Sequence, residues 1–261
     1  MTSKIEFERV GDVAVVRLND PATLNALTTE VTDDLHAAAR RAEREARAML
    51  ICGAGRGFCS GWNLATTGPS AGGSGPFDGG VALEAHVNPL MRTLRDLNIP
   101  FVSAVHGAAA GVGASIALCA DLIVAGESAY FLQAFRRIGL VPDGGATWLL
   151  AKAAGRARAM ELMLLGEKLP APRALEWGLI NRVVADAEVL AAATALAQEL
   201  AAGPTVALAM IRKAAWAATS SDLEAALVNE RHLQTKAGQT EDFREGVMAF
   251  FEKRPAKFVG K

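Results

Sequence analysis

Short apolar runs that break directly into glycine constrain this chain more than any other feature. Met49-Leu50-Ile51-Cys52 leads into Gly53-Ala54-Gly55-Arg56-Gly57-Phe58-Cys59-Ser60-Gly61-Trp62-Asn63-Leu64. Phe101-Val102-Ser103-Ala104-Val105 leads through His106 into Gly107-Ala108-Ala109-Ala110-Gly111-Val112-Gly113-Ala114. Each run reads as a strand, and the glycines after it permit bends in which backbone N–H groups stay unpaired. The second bend continues as a helical pattern through Leu118, so its free N–H groups sit at a helix start, where an anion is stabilised. A third bend, Gly139-Leu140-Val141-Pro142-Asp143-Gly144-Gly145-Ala146-Thr147, sets one carboxylate between apolar runs. Taken separately, each bend also reads as a plain chain reversal, and Asp143 as a turn former. Two donor loops and one acid together read as an active site with Asp143 as the catalyst.

Around these bends the pattern alternates. Ile5 to Arg9 and Val13 to Leu18 read as strands about a Gly11-Asp12 turn. Thr28 or Thr29 caps a helix that carries Val31, Leu35, Ala38, Ala42 and Ala46 on one face and Asp33, Arg40, Arg41, Glu43 and Arg44 on the other. Leu122 to Ala125 and Ile180 to Val184 add two further strands, with helical patterns between, which makes the core α/β. Between Thr66 and Gly80 the chain turns to Gly, Ser, Pro and Ala, a mobile loop placed to act as a lid or acyl-pocket wall, or a tolerated insertion. After Gly203-Pro204 strands stop and three helices remain. The first 203 residues form the core domain, and residues 204–261 a helical region for oligomerisation. Ser221 with Glu224 matches a capping box, and the last helix carries Phe243, Val247, Phe250 and Phe251. That tail is too short and apolar to stand alone, so it packs across its own core or a neighbouring subunit.

Composition removes several function classes. A formal net charge of −1 over 261 residues supplies no field to attract nucleic acid or an anionic bilayer, and no basic stretch supports RNA binding. No apolar run is long enough to span a membrane, and the N-terminus lacks a secretory core, so a cytoplasmic protein is expected. Cys52, Cys59 and Cys119 are odd in number and lack ligand spacing, which reads as reduced thiols with neither disulfide nor metal site.

The order and wording of the three bends resemble the crotonase, or enoyl-CoA hydratase/isomerase, superfamily. The resemblance runs from Pro21-Ala22-Thr23-Leu24-Asn25-Ala26-Leu27 to Phe243-Arg244-Glu245-Gly246-Val247-Met248-Ala249-Phe250-Phe251-Glu252-Lys253-Arg254. Leu132 to Gly145, Thr147-Trp148-Leu149-Leu150, Asn88-Pro89-Leu90, Gly155 to Met160, Glu176-Trp177-Gly178 and Lys257-Phe258-Val259-Gly260-Lys261 are most similar to its ring-1,2-epoxyphenylacetyl-CoA isomerase branch. The resemblance implies a spiral of strand-strand-helix turns with a helical C-terminal region, assembled as a homotrimer or a dimer of trimers. It implies an acyl-CoA thioester as substrate, with no separate cofactor, since CoA is part of the substrate.

Carried over by position, the resemblance assigns the oxyanion hole to the backbone N–H groups of Trp62, after Gly61, and Val112, after Gly111. The side chain of Trp62 then shapes the acyl pocket. Hydratases of the family use two glutamates, and this chain has Ser115 and Phe135 at those positions, which disfavours a plain hydratase. Asp143 stands where isomerases carry their acid/base, and one carboxylate suffices to move a proton between two carbons of one substrate. Enclosure by Val141, Phe135 and the acyl chain raises its pKa above the usual value of about 3.9. The alternatives are a hydratase-like lyase, a hydrolase or dehalogenase with Asp143 as nucleophile and His86 as the nearby base, and a non-catalytic CoA-binding protein. His36, His106 and His232 read as non-catalytic. The resemblance places Leu24, Ala26, Arg56, Phe58 and Ser60 along the CoA groove. Phe250 and Lys253 fall where relatives touch the adenosine phosphates; the plainer reading makes Phe250 a core residue and Lys253 a solvated charge, unpaired or facing Glu252.

Overall fold

In the computed structural model, residues 3–66 and 78–261 are described. The hairpin β1 (Ile5–Val10) and β2 (Val13–Leu18) is antiparallel, with Val10 opposite Val13 and Gly11 left-handed in the turn. From β2 onward the sheet is parallel: β3 (Ala48–Gly53), β4 (Phe101–Val105), β6 (Leu122–Gly126) and β9 (Arg182–Val184) complete the order β1-β2-β3-β4-β6-β9. Three short strands, β5 (Ala108–Ala110), β7 (Tyr130–Leu132) and β8 (Lys168–Pro170), form a second sheet.

The parallel strands are continuous apolar runs because both faces are covered. Val13, Val15, Leu50, Cys52, Val102, Ala104 and Val124 pack against helix α8 (Val189–Ala201) through Val189, Ala193, Leu196 and Ala197. The opposite residues, among them Val16, Met49, Ile51, Phe101 and Val105, enter a larger core with α1 (Thr29–Glu45) and the second sheet. Helix α1 starts where the Thr28 hydroxyl accepts the Val31 N–H, and buries Val31, Leu35, Ala38 and Ala42, as their helical spacing dictates.

Two expectations are corrected, and a third falls largely outside the described residues. The last parallel strand begins at Arg182 rather than Ile180, because Asn181 uses its side chain as well as its backbone: its Oδ1 accepts the Ile123 N–H while its own N–H donates to the Ile123 carbonyl. The helix near residue 221 is capped by the Asp222 carboxylate, which accepts the Ala225 N–H at 2.8 Å, so no Ser221–Glu224 box forms. Of the segment Thr66 to Gly80, residues 67–77 lie outside the described ones; its end is already ordered, since Asp78 caps α2 (Gly79–Ala82), which passes through a π-helical turn at Leu83–Val87 into α3 (Asn88–Asp96).

Between β5 and β9 lie α4 (Val112–Leu118), α5 (Ala146–Ala154), α6 (Arg156–Leu165) and α7 (Ala171–Glu176). After β9 the chain is helical: α8, then α9 (Thr205–Ala218), α10 (Leu223–Ala237) and α11 (Glu241–Glu252). Polar anchors tie this region down. Buried Arg212 on α9 donates to the Asp121 carboxylate and to the carbonyls of Leu94 and Leu97. Buried Asp242 accepts the N–H groups of Val259 and Gly260. Meanwhile Leu223, Leu227, Phe243 and Phe251 stand exposed. Among the described residues, no single helix is long and apolar enough to cross a membrane.

Candidate active site

The bend after β3 is held by one buried side chain. Leu24 and Asn25 both lie in the left-handed region, at φ 57° and 58°, which costs each non-glycine residue on the order of 1 kcal/mol. Hydrogen bonds offset that cost: Asn25 Nδ2 donates to the carbonyls of Ala54, Gly57 and Phe58 at 2.9, 2.8 and 3.1 Å, and Oδ1 accepts the Asp20 N–H at 2.9 Å. Three backbone bonds then stitch the two loops together, Ser60 N–H to Leu24 O, Leu27 N–H to Gly61 O and Asn63 N–H to Leu27 O. Cys59 exchanges bonds with Ala108 and Ala110 of β5. The bend ends at Gly61, whose φ is 92° and where a Cβ would sit 2.8 Å from the Ala110 carbonyl oxygen, so only glycine fits. The N–H of Trp62 that follows has no acceptor among the described residues. Asn25 was not singled out in the sequence as a site residue; an asparagine in a loop carries no mark of the three carbonyls it will meet.

The second donor comes from α4. Gly111, with φ 52°, precedes it without offering a side-chain cap, and the N–H groups of Val112 and Gly113 have no acceptor among the described residues. The two bends touch: a Cβ on Gly111 would lie 3.9 Å from Gly61 Cα and 3.5 Å from Cζ of Phe135. Trp62, Val112 and Phe135 therefore border one small volume.

Asp143 is brought to the same helix. Gly144 packs on it so closely that a Cβ there would lie 3.0 Å from Val112 Cγ2 and 3.1 Å from Ser115 Cβ. The Asp143 carbonyl accepts from Ser115 Oγ at 3.1 Å and from the Ala146 N–H, which starts α5. Its carboxylate oxygen Oδ1 is buried without a hydrogen-bond partner. Burial alone pushes the carboxyl up from 3.8 to about 6. Val141 takes no part in that enclosure. It is 80% exposed, because the bend turns it outward while Gly144 turns inward. Asp143 is the one carboxylate among the residues gathered here. A hollow of about 470 Å³ borders Gly144 and Gly145, with Met91, Cys119 and the stacked pair Trp148 and Trp216 in its wall.

Other expected residues fall variously. Leu24 is half-buried, Arg56 is exposed, and Ser60 Oγ donates to the Thr23 carbonyl. Ala26 and Phe58 are buried, and Phe58 is a core residue with no exposed surface of its own to line a groove. Phe250 is 78% exposed and edge-on to Phe251, which overturns its reading as a core residue, and Lys253 is exposed where α11 ends. Glu252 pairs with Arg254 instead of Lys253. None of the contacts that knit the cluster involves Phe250 or Lys253. His86, the base expected from sequence proximity, is held by Asp33 of α1 at 2.7 Å. His36 meets Thr93, and His106 the Gly55 carbonyl. Among the described residues no three His, Cys, Asp or Glu side chains gather as a metal set.

Comparison with known proteins gives a consistent picture. Residues 8–261 match the enoyl-CoA hydratase/isomerase family. The chain is 44% identical over 251 residues to the 1,2-epoxyphenylacetyl-CoA isomerase of Escherichia coli (strain K12), covering 95% of each chain. It is 43% identical over 260 residues to a protein of Rhodobacter capsulatus named a probable enoyl-CoA hydratase, covering 98% of each. The crystal structure of an enoyl-CoA hydratase from Polaromonas sp. JS666 superposes with a TM-score of 0.90 at 32% identity, over 97% of this chain and 99% of that one.

Proposed function

The chain belongs to the enoyl-CoA hydratase/isomerase family, and within it we propose an acyl-CoA isomerase in which Asp143 alone moves the proton. The observation that carries this reading is the single carboxylate: Oδ1 of Asp143 is buried and unpartnered in a bend packed on the helix that begins at Val112, while Ser115 and Phe135 stand where the family resemblance puts the hydratase glutamates.

The thioester oxygen accepts from the N–H groups of Trp62 and Val112. Removing a proton next to that carbonyl, or at the vinylogous carbon, puts negative charge on this oxygen, and donors already in place stabilise it without reorganising. The Asp143 carboxylate takes the proton and, as the acid, returns it to another carbon of the same substrate, so no second group is consumed. A carboxyl near 6 suits both halves of the exchange, since it is largely ionised at neutral pH and still a competent acid. The substrate class is a 3-enoyl-CoA or a ring-epoxide phenylacetyl-CoA, the latter favoured by the isomerase relative. CoA lies along Leu24 to Ala26 and Arg56 to Ser60, and exposed Phe250 and Lys253 meet the adenosine phosphates of an adjacent subunit in a trimer or dimer of trimers. Asp143 as a covalent nucleophile is the weaker reading, because the base expected for it, His86, pairs with Asp33 of α1 and takes no part in the contacts that knit the Asp143 cluster.

Double-bond migration in a 3-enoyl-CoA and water addition to crotonyl-CoA, measured on one preparation, test this. Migration should be far the faster, and Asp143→Asn should abolish it while CoA-thioester binding stays within several-fold. Faster hydration, or a mutant that still turns over, refutes the reading.

A further inference from the structure

Ser115 is buried at the middle of α4, one turn after Val112. A serine inside a helix normally bonds back to the carbonyl four residues earlier. Here Oγ is 3.5 Å from that carbonyl, Gly111 O, but 3.1 Å from the carbonyl of Asp143, so its shorter bond crosses to the bend that carries the acid. The adjoining Gly144, at φ 59°, has its Cα turned onto Ser115, where a Cβ would lie 3.1 Å from Ser115 Cβ and press its neighbours aside. The side chain is too short to place a proton on a substrate as a glutamate would, and its hydroxyl is engaged with the loop.

We infer that Ser115 is a positioning residue, which locks the Asp143 bend to the helix that supplies the Val112 donor. The inference rests on Asp143 as the acid/base and adds what keeps it in register. With the hydroxyl in place, the distance from carboxylate to oxyanion donor is set within one short rigid helix. Without it, Asp143 O keeps only the Ala146 N–H, and the bend is free to slide outward. A displacement of about 1 Å at a reacting group is enough to cost on the order of a hundredfold in rate.

The experiment compares wild type, Ser115→Ala and Asp143→Asn with a 3-enoyl-CoA over pH 4–9, alongside thermal unfolding of each. Ser115→Ala should lose at least tenfold in kcat with KM within about twofold, and its acidic limb should move to lower pH as the carboxylate gains water. A merely structural serine would lower the melting temperature without moving that limb. If Ser115→Ala does not fold, Ser115→Cys, similar in size but a feeble donor, is read by the same criteria. Unchanged kcat, or a loss of kcat with the limb where it was, overturns the inference while Asp143→Asn stays inactive. Turnover in Asp143→Asn would instead overturn the acid/base reading beneath it.

Discussion

Asp143→Asn should make the protein more stable at alkaline pH as it destroys activity. Burial holds the carboxyl at about 6 in the fold against an ordinary 3.8, and Oδ1 has no hydrogen bond to repay the loss of water. Each pH unit between two such values corresponds to about 1.4 kcal/mol, so the ionised carboxylate costs the fold at most about 3 kcal/mol. The side chain is not wholly enclosed, and water reduces that cost to roughly 1–3 kcal/mol. The sign follows from proton counting. Between 3.8 and about 6 the folded chain keeps a proton here that the unfolded chain has released, so this group's contribution to stability falls as pH rises through the window. Below 3.8 both states are protonated and the penalty disappears. An uncharged asparagine never incurs it. Urea unfolding of both proteins at pH 8, 6 and 4 should show the mutant ahead by roughly 1–3 kcal/mol at pH 8, with the gap closing towards pH 4. A mutant equal to or weaker than wild type at pH 8 would mean that the carboxylate is not desolvated, and the argument for a raised pKa would go with it.

Two further substitutions probe the scaffold. Gly61→Ala places a methyl 2.8 Å from the Ala110 oxygen at a φ of 92°, so the backbone must shift and carry the Trp62 N–H with it; losing one such donor costs on the order of 3 kcal/mol in the barrier, or about a hundredfold in kcat, and near-normal kcat in steady-state assays would exclude Trp62 as a donor. Gln133 is buried with neither end of its amide hydrogen-bonded, a penalty of about 1–3 kcal/mol that the similarly long Gln133→Met removes, so its melting temperature should rise by several degrees; a fall would show that the amide has a partner after all.

Parts of this architecture were legible in the sequence because they rest on local patterns. The hairpin about Gly11, the helix after Thr28 and the parallel strands at 49–52 and 101–105 all announce themselves by period or by an unbroken apolar run. The second sheet does not. Its strands are three residues long, too short to show alternation, and one is Ala108-Ala109-Ala110, which local propensity reads as helix. They pair only across the fold, β5 with β7 and β7 with β8, where the Gly111 N–H also donates to the Leu132 carbonyl. The site divides in the same way. Asp143 and the glycines before each donor are visible as composition, whereas the roles of Asn25 and Ser115 depend on which distant carbonyls they meet. Val141 failed for the complementary reason: adjacency in sequence gave no indication of which side of the bend it would take.

The division also bears on how one scaffold hosts several reactions. Both proposed donors are backbone N–H groups, placed by left-handed glycines and by a helix start, so the donor role itself asks for no particular side-chain chemistry at Trp62 or Val112. The proton chemistry is the opposite case, since it depends on which side chains at 115, 135 and 143 carry carboxyl groups. Ser115 is turned to the Asp143 carbonyl and Phe135 lies against Gly111, so in the proposed reading only the third position is left to exchange a proton. Adding a carboxylate at 115 would do more than restore a hydratase group. It would remove the bond that ties the Asp143 bend to α4 and set a second negative charge beside a carboxyl already short of water, which would hold one of the two protonated. A single substitution towards glutamate should thus weaken isomerisation before it supplies hydration, and the two activities are not expected to coexist at full strength in this pocket.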